Sequence, residues 1–383
     1  MKGSMDFIRS DNESSHIIDC SKLEPADIIL TGNDSIPSVG IKLLYNSKYS
    51  HVSIHAGGGY VIEAVTSKGV HVTHVRKIMQ EELTSLKILR PTLKSSTKEK
   101  VSQYAIKFIG ETYGWRQIAA KAKILKPSER SKICSELVAR SFSEAHANFF
   151  GKKKAADVVP KDFENSPDFT DVTQELIRKM KVSQSEVLIP LNEISIIQHC
   201  DFIGHRQLED DILNSIITET NRIKNWRTPN SFIGFFKQLE LSSYDNREAC
   251  EQLDKHFDML TMEYQESLFL NVTPNGMLGE LGLDGLFNYV YEKIYHNGII
   301  GMIDLKNNDV KEELELFYKD AVLGQRWLKT YNQSLRNYFT DLEEALPQYA
   351  FPKIMTQWIG HNIEMNEQII AGIYDLFPKT IID

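Results

Sequence analysis

Ser50-His51-Val52-Ser53-Ile54-His55-Ala56-Gly57-Gly58-Gly59-Tyr60-Val61-Ile62-Glu63-Ala64 reads as two strands joined by a turn. His51 to His55 is β-like. Gly57-Gly58-Gly59 is a turn, where glycine adopts positive φ without strain. Tyr60 to Ala64 is the return strand, so the stretch predicts a β-hairpin. Working outward, Asp27-Ile28-Ile29-Leu30 reads as a short buried strand after Leu23-Glu24-Pro25-Ala26. Ile41 to Tyr45 reads as a helical turn. Gly69-Val70-His71-Val72 and Leu86 to Leu89 supply further strands. Helical spacing then takes over: Val101, Tyr104, Ala105, Phe108 and Ile109 share one face, as do Leu137, Val138 and Phe142 within Ser135 to Phe142. Strands followed by helices, without βαβ alternation, predict an α+β fold.

Beyond about Met180 the texture changes to amphipathic helix. Leu208–Trp226, Glu248–Phe269, Val310–Phe339 and Pro352–Phe377 carry helical periodicity, punctuated by Pro229, Pro274, Pro347 and Pro378. Aromatics at helical spacing (Phe232, Phe235, Phe236; Tyr289, Tyr291, Tyr295; Tyr331, Tyr338) read as core. Gly276 to Gly285 has no GK[ST] and opens no βαβ unit, so it reads as a turn between helices. The 383-residue chain is long enough for two domains, and the expectation is an α+β domain over 16–180 and an all-α helical domain over 181–383.

Charge divides at the same place. Met1 to Met180 holds 27 Lys+Arg against 21 Asp+Glu, a net of +6, and the remainder holds 17 against 31, a net of −14. An overall charge of −8 argues against a nucleic-acid partner. The stretch Lys94–Lys161 is the exception, with 15 Lys+Arg against 6 Asp+Glu. Lys121, Lys123 and Lys126 interleave with apolar residues there, and Lys152-Lys153-Lys154 forms a separate run. Such a stretch suits an anionic surface, or is a solvated helix face and loop.

The four cysteines, Cys20, Cys134, Cys200 and Cys250, have no zinc-ligand spacing and are expected to be reduced. His199, His205, His256, His296 and His361 show no HExxH pattern, so no metal site is expected. No apolar run is long enough to span a membrane, and the polar N-terminus lacks a secretory h-region. The expectation is a cytoplasmic protein, with delivery by a specialised secretion system compatible.

Cys134 falls at the expected start of a helix, where the positive end of the helix dipole favours the thiolate. A nucleophilic cysteine also needs a base and a group that orients the base. The hairpin offers both, because His51 and Glu63 fall at one end of the two strands and face one side. His55, beside the turn, is the rival base. The plain alternatives are an inert buried cysteine and a satisfied strand histidine.

The ordered set of Leu23-x-Pro-Ala-Asp-Ile-Ile-Leu, Ser50-His51-Val52-Ser53-Ile54, Gly58-Gly59-Tyr60-Val61-Ile62-Glu63-Ala64, Gly69-Val70 and Cys134-Ser135-Glu136-Leu137-Val138 resembles the YiiX-like branch of the permuted papain-fold cysteine hydrolases. These are NlpC-type amidases, whose permuted order lecithin–retinol-acyltransferase-like enzymes share. Tyr113-Gly114-Trp115 is similar to the family's aromatic segment. Val159-Pro160-Lys161-Asp162-Phe163 and Ser166-Pro167-Asp168-Phe169 are similar to its closing segment. The resemblance covers about Leu23 to Asp171 and is silent on the helical half.

The resemblance implies that Cys134 is the nucleophile, His51 the general base and then acid, and Glu63 the orienting member of a triad. It implies substrate-side roles for Tyr113, as pocket wall or oxyanion donor against a core aromatic, and for Asp27, as an ordering group against a turn or cap. It also implies a covalent acyl-enzyme on a peptide, aminoacyl or lipid amide or ester substrate, with no cofactor. Amidase or peptidase is the leading expectation. A lipid-directed hydrolase or acyltransferase is the alternative, and an inactive binding module is the second.

Overall fold

The computed structural model describes residues 16–66, 69–75, 78, 83–114, 131–147, 149–179, 218, 232–241, 247–255 and 308–376. Two compact units are distinguished: one takes in His16–Lys179 and the first turns of the helix beginning at Phe232, and the other takes in the long C-terminal helices.

The first unit has the α+β, permuted papain-like fold. Its chain order is β1 (His16–Ile18), β2 (Ile28–Gly32), α1 (Ile36–Tyr45), β3 (His51–Gly57), β4 (Tyr60–Val65), β5 (Gly69–His74), β6 (Ser85–Pro91), α2 (Ser95–Lys107), β7 (Thr112–Tyr113), β8 (Ser131–Lys132), α3 (Cys134–Glu144), α4 (Pro160–Asn165), β9 (Phe169–Asp171), α5 (Thr173–Leu176) and β10 (Ile177–Lys179). Six strands form one antiparallel sheet in the order β5-β4-β3-β2-β6-β9. β2 and β3 lie inside it and bury nearly every residue, so their apolar runs are covered on both faces. α3 packs against β3, β4 and α2. Ile18, Leu23, Ile29, Val61, Val75, Leu86, Ile88 and Leu176 form one buried cluster.

The predicted hairpin is present. Gly57, Gly58 and Gly59 all take positive φ, and a Cβ on Gly59 would lie 2.6 Å from His74 Nε2. α1 is longer than the helical turn expected from Ile41 to Tyr45. Pro37 is accommodated in its first turn, and Asn46 ends it in the left-handed conformation. Phe142 and Phe149 meet Phe169 edge-on at 5.7 and 5.1 Å, and Phe163 meets it tilted at 6.1 Å, fixing the C-terminal half of α3 to the closing segment.

Beyond residue 218 the described secondary structure is all helix. α6 (Phe232–Leu241) buries Phe236 and Leu239. α7 (Asn308–Ala345) stops before Pro347, and α8 (Phe351–Leu376) carries Pro352 in its first turn. The two long helices pack through Val322, Phe339, Leu342, Phe351, Met355 and Ile359. Asn366 ties them, donating to Gln325 Oε1 at 2.7 Å and accepting from Asn332 at 3.0 Å. Asp254 accepts from the backbone N–H groups of Ala350 and Phe351, capping α8.

Several sequence expectations lie outside the described residues. They are Leu208–Trp226 apart from Thr218, Gly276–Gly285, Tyr289, Tyr291, Tyr295, Cys200, Trp115, Lys121, Lys123, Lys126 and the side chains of His199, His205, His256, His296 and His361. Lys152, Lys153 and Lys154 are exposed, and Lys153 pairs with Asp162 at 2.6 Å. Among the described residues no helix is long and apolar enough to cross a membrane, and Cys20, Cys134 and Cys250 form no disulfide.

Candidate active site

Antiparallel pairing of β3 and β4 sets Ile54 opposite Ile62. One step on, Glu63 falls beside Ser53 and diagonal to His51, within reach of long side chains on one sheet face. The imidazole Nε2 of His51 lies 2.7 Å from Glu63 Oε2. The ring also hydrogen-bonds with Cys134.

Cys134 is the first residue of α3, after Ile133 in extended conformation. Backbone N–H groups of a helix's first turn have no partner within the helix and point toward its N-terminal end. Cys134 is buried, which by itself raises its thiol pKa. The hydrogen bond and charge of His51, followed by hydrogen bonds from the Val52 and Ser135 backbone N–H groups, outweigh burial and bring it below its ordinary 9.0. His51 shifts the other way. Burial disfavours its charged form, but Cys134 and Glu63 hold it well above its ordinary 6.5. Burial also raises Glu63, yet its hydrogen bonds to His51 and His71 take it well below the usual carboxylate range. The three groups are thus joined in one hydrogen-bonded chain in which each shift favours the charged form, an arrangement suited to nucleophilic chemistry.

Residues 22–185 match the permuted papain-like amidase family, YaeF/YiiX, C92. The match covers the N-terminal region alone. That family consists of papain-like amidases, and the match supports cysteine hydrolase activity of this general kind for the region. Among solved structures, one titled metalloprotein yiiX from Escherichia coli O157:H7 is 21% identical. The alignment covers 39% of this chain and 96% of that chain, with a TM-score of 0.30. None of the curated proteins matches. The word metalloprotein in that title belongs to that protein. Among the described residues here, no group of three or more His, Cys, Asp or Glu is arranged to hold a metal ion, and each oxygen of Glu63 is turned to a histidine.

Tyr113 joins this site. β7 and β8 pair in parallel, with Tyr113 opposite Lys132, two residues ahead of Cys134. Burial first, then the nearby Cys134 charge, raises its phenol above the ordinary range. Two further residues reach the site that the sequence reading did not single out. Tyr45, the last residue of α1, is raised by burial and then by Cys134. His71 lies directly opposite Glu63 on β5, with Nε2 3.3 Å from Glu63 Oε1. The short connection from Val65 to Gly69, which face each other, was the available signal for His71.

Asp27 is a correction. Ile28 pairs with Ile54, whereas Thr31 pairs with His51. At about 3.3 Å per residue, the four steps from Thr31 to Asp27 put Asp27 roughly 13 Å along the strand from the His51 end. Its fully buried carboxylate accepts from Arg90 Nε at 3.0 Å, Arg90 Nη2 at 2.7 Å and the Glu24 N–H at 2.9 Å. Those three bonds tie Asp27 to Arg90 and to the turn at Glu24, so Asp27 orders the strand rather than the pocket. His55, the rival base, is at the same remote end. Its Nε2 accepts from the Gly59 N–H at 3.2 Å, so Nδ1 is the protonated nitrogen that donates to the Glu24 carbonyl at 2.8 Å.

Proposed function

We propose that the N-terminal region is a cysteine-dependent amidase or peptidase acting through an acyl-enzyme on Cys134. The hydrogen-bonded chain from Cys134 through His51 to Glu63 is the observation that carries this reading. The thiolate sulfur attacks the carbonyl carbon of an amide, and the carbonyl electron pair moves onto oxygen. The outward N–H groups at the start of α3 supply donors for that oxyanion. As the intermediate collapses, His51 gives its proton to the leaving amine, and a thioester to Cys134 remains. Water then attacks the thioester and loses a proton to His51, releasing the acid and restoring the ion pair. Glu63 keeps the imidazole oriented and stabilises its charged form throughout. Tyr113 and Tyr45 wall the thiolate. The test is intact-mass trapping of acyl adducts from peptide and N-acyl amide libraries. An adduct on Cys134 that is absent from a folded Cys134→Ala protein supports the reading; full turnover by Cys134→Ala overturns it.

A specific observation favours a second reading, in which the acyl group is that of a lipid. Val39, Leu43 and Leu44 are the exposed large hydrophobics among the described residues. All three lie on α1, which ends in Tyr45 beside Cys134. An apolar helix leading to a nucleophile suits a fatty-acyl ester or amide. Comparing turnover of long-chain acyl substrates in wild type and Leu43→Ser separates the readings: a loss confined to long chains favours the lipid.

A further inference from the structure

We propose that His71 is a positioning residue, holding one oxygen of Glu63 so that the other stays on His51. The inference rests on the reading of Cys134 as nucleophile and deepens it, because the mechanism above makes no use of His71.

The argument begins with the carboxylate. Its two oxygens are fixed in one plane, so anchoring one sets the direction of the other. Glu63 places Oε2 2.7 Å from His51 Nε2. Without a second partner, rotation about the terminal torsion would let that contact slip, since this torsion is broad. The second partner stands directly across the β4–β5 ladder, where His71 faces Glu63 with Nε2 3.3 Å from Oε1. Cross-strand neighbours at opposed positions are held by the backbone ladder on both sides. An ionised carboxylate only accepts, so the ring is the donor at Oε1. His71 thus stands to Glu63 as the outer partner stands to a ligand-holding carboxylate at a metal centre: it touches no reacting atom but fixes the group that does the orienting. Glu63 and His71 are each mostly covered, with 12% and 20% of the side chain exposed, so water is a poor substitute donor.

The test uses the full chain and iodoacetamide, with Cys134 labelling followed by peptide mass spectrometry from about pH 5 to about pH 9. Cys20 and Cys250 serve as internal references. In wild type, Cys134 labels faster than the references well below the ordinary thiol range. His71→Leu, which fills the strand position without a donor, is expected to move the acid limb of that profile up by about one pH unit, a loss of roughly tenfold on that limb. His71→Gln restores a donor and is expected to return the rate to within about threefold of wild type. In a Glu63→Gln background, His71→Leu should add nothing, because both act through one carboxylate.

A His71→Leu profile that superimposes on wild type overturns the inference alone. So does an equal loss in His71→Gln, or an additive loss in the Glu63→Gln background. If His71→Leu does not fold, the glutamine protein decides by itself: loss of acid-side labelling in folded His71→Gln overturns the donor assignment, and retention supports it. Wild-type Cys134 labelling no faster than Cys20 and Cys250 overturns the nucleophile reading and this inference with it.

Discussion

The two ends of β3 carry the same residue type and use it oppositely. At one end, His51 stands between a thiol and a carboxylate, and burial loses to those partners, so the ring is held charged. At the other end, His55 stands between a backbone carbonyl and a backbone N–H. Burial is the largest effect there and lowers its pKa. Four residues apart on one strand, they show that a histidine's task is set by the groups it bonds: ionisable side chains at His51, and backbone groups at His55, where the charges of Asp27 and Arg90 oppose each other. The same contrast holds for the carboxylates. Glu63 faces two imidazoles that can exchange protons, whereas Asp27 faces a guanidinium that cannot.

The comparison can be broken most directly at the His51 end. Cys134→Ala and His51→Ala are each expected to lower turnover by about a thousandfold or more in proteins that still fold. Turnover within a few-fold of wild type in either protein would end the distinction between the ends. At the His55 end the expected damage is to folding. Arg90→Met strands the buried Asp27 carboxylate and should cost about 3–5 kcal/mol in urea unfolding. Unchanged stability would mean that Asp27 finds another partner. His55→Gln removes one of two backbone contacts and should cost about 1–3 kcal/mol, with activity per folded molecule preserved.

The smallest effect is also the most discriminating, because its sign differs between the ends. The folded pKa of His51 lies above 6.5, so its contribution is complete below pH 6.5 and fades as pH climbs through the folded value. The folded pKa of His55 lies below 6.5, so its contribution is complete above pH 6.5 and fades as pH falls through the folded value. Urea melts of His51→Gln and His55→Gln across this range should therefore diverge, the first losing most on the acid side and the second on the neutral side. Parallel curves would show that the two rings share one environment.

Much of the site could be read along the chain because it is local. The triple glycine announces a hairpin, which can bring His51 and Glu63 to one end of two paired strands; the register that sets them on one face depends on a shift between His55 and Gly57. Cys134 could be placed on a helix start for a similar reason, since the apolar spacing of Leu137, Val138 and Phe142 marks the helix it opens. Asp27 was misread because its partner, Arg90, is 63 residues away, and no local pattern says which carboxylate a buried guanidinium will meet. Tyr45 was missed for the same reason. It ends a helix whose only local message is hydrophobicity, and its approach to Cys134 depends on how α1 leaves the sheet.

The sequence by itself therefore determined the presence of the hairpin, the helix that opens at Cys134 and the chemical types available: a thiol at a helix start, and an imidazole and a carboxylate on paired strands. Those follow from torsional preference and periodicity, which act within a few residues. Tertiary structure alone decided that Arg90 holds Asp27 away from the His51 end, that Tyr45 approaches Cys134, and that His71 closes the far side of Glu63. Those outcomes depend on desolvation and charge pairing between distant segments. Both are set by what surrounds a group in space, and the order of residues along the chain does not encode that directly.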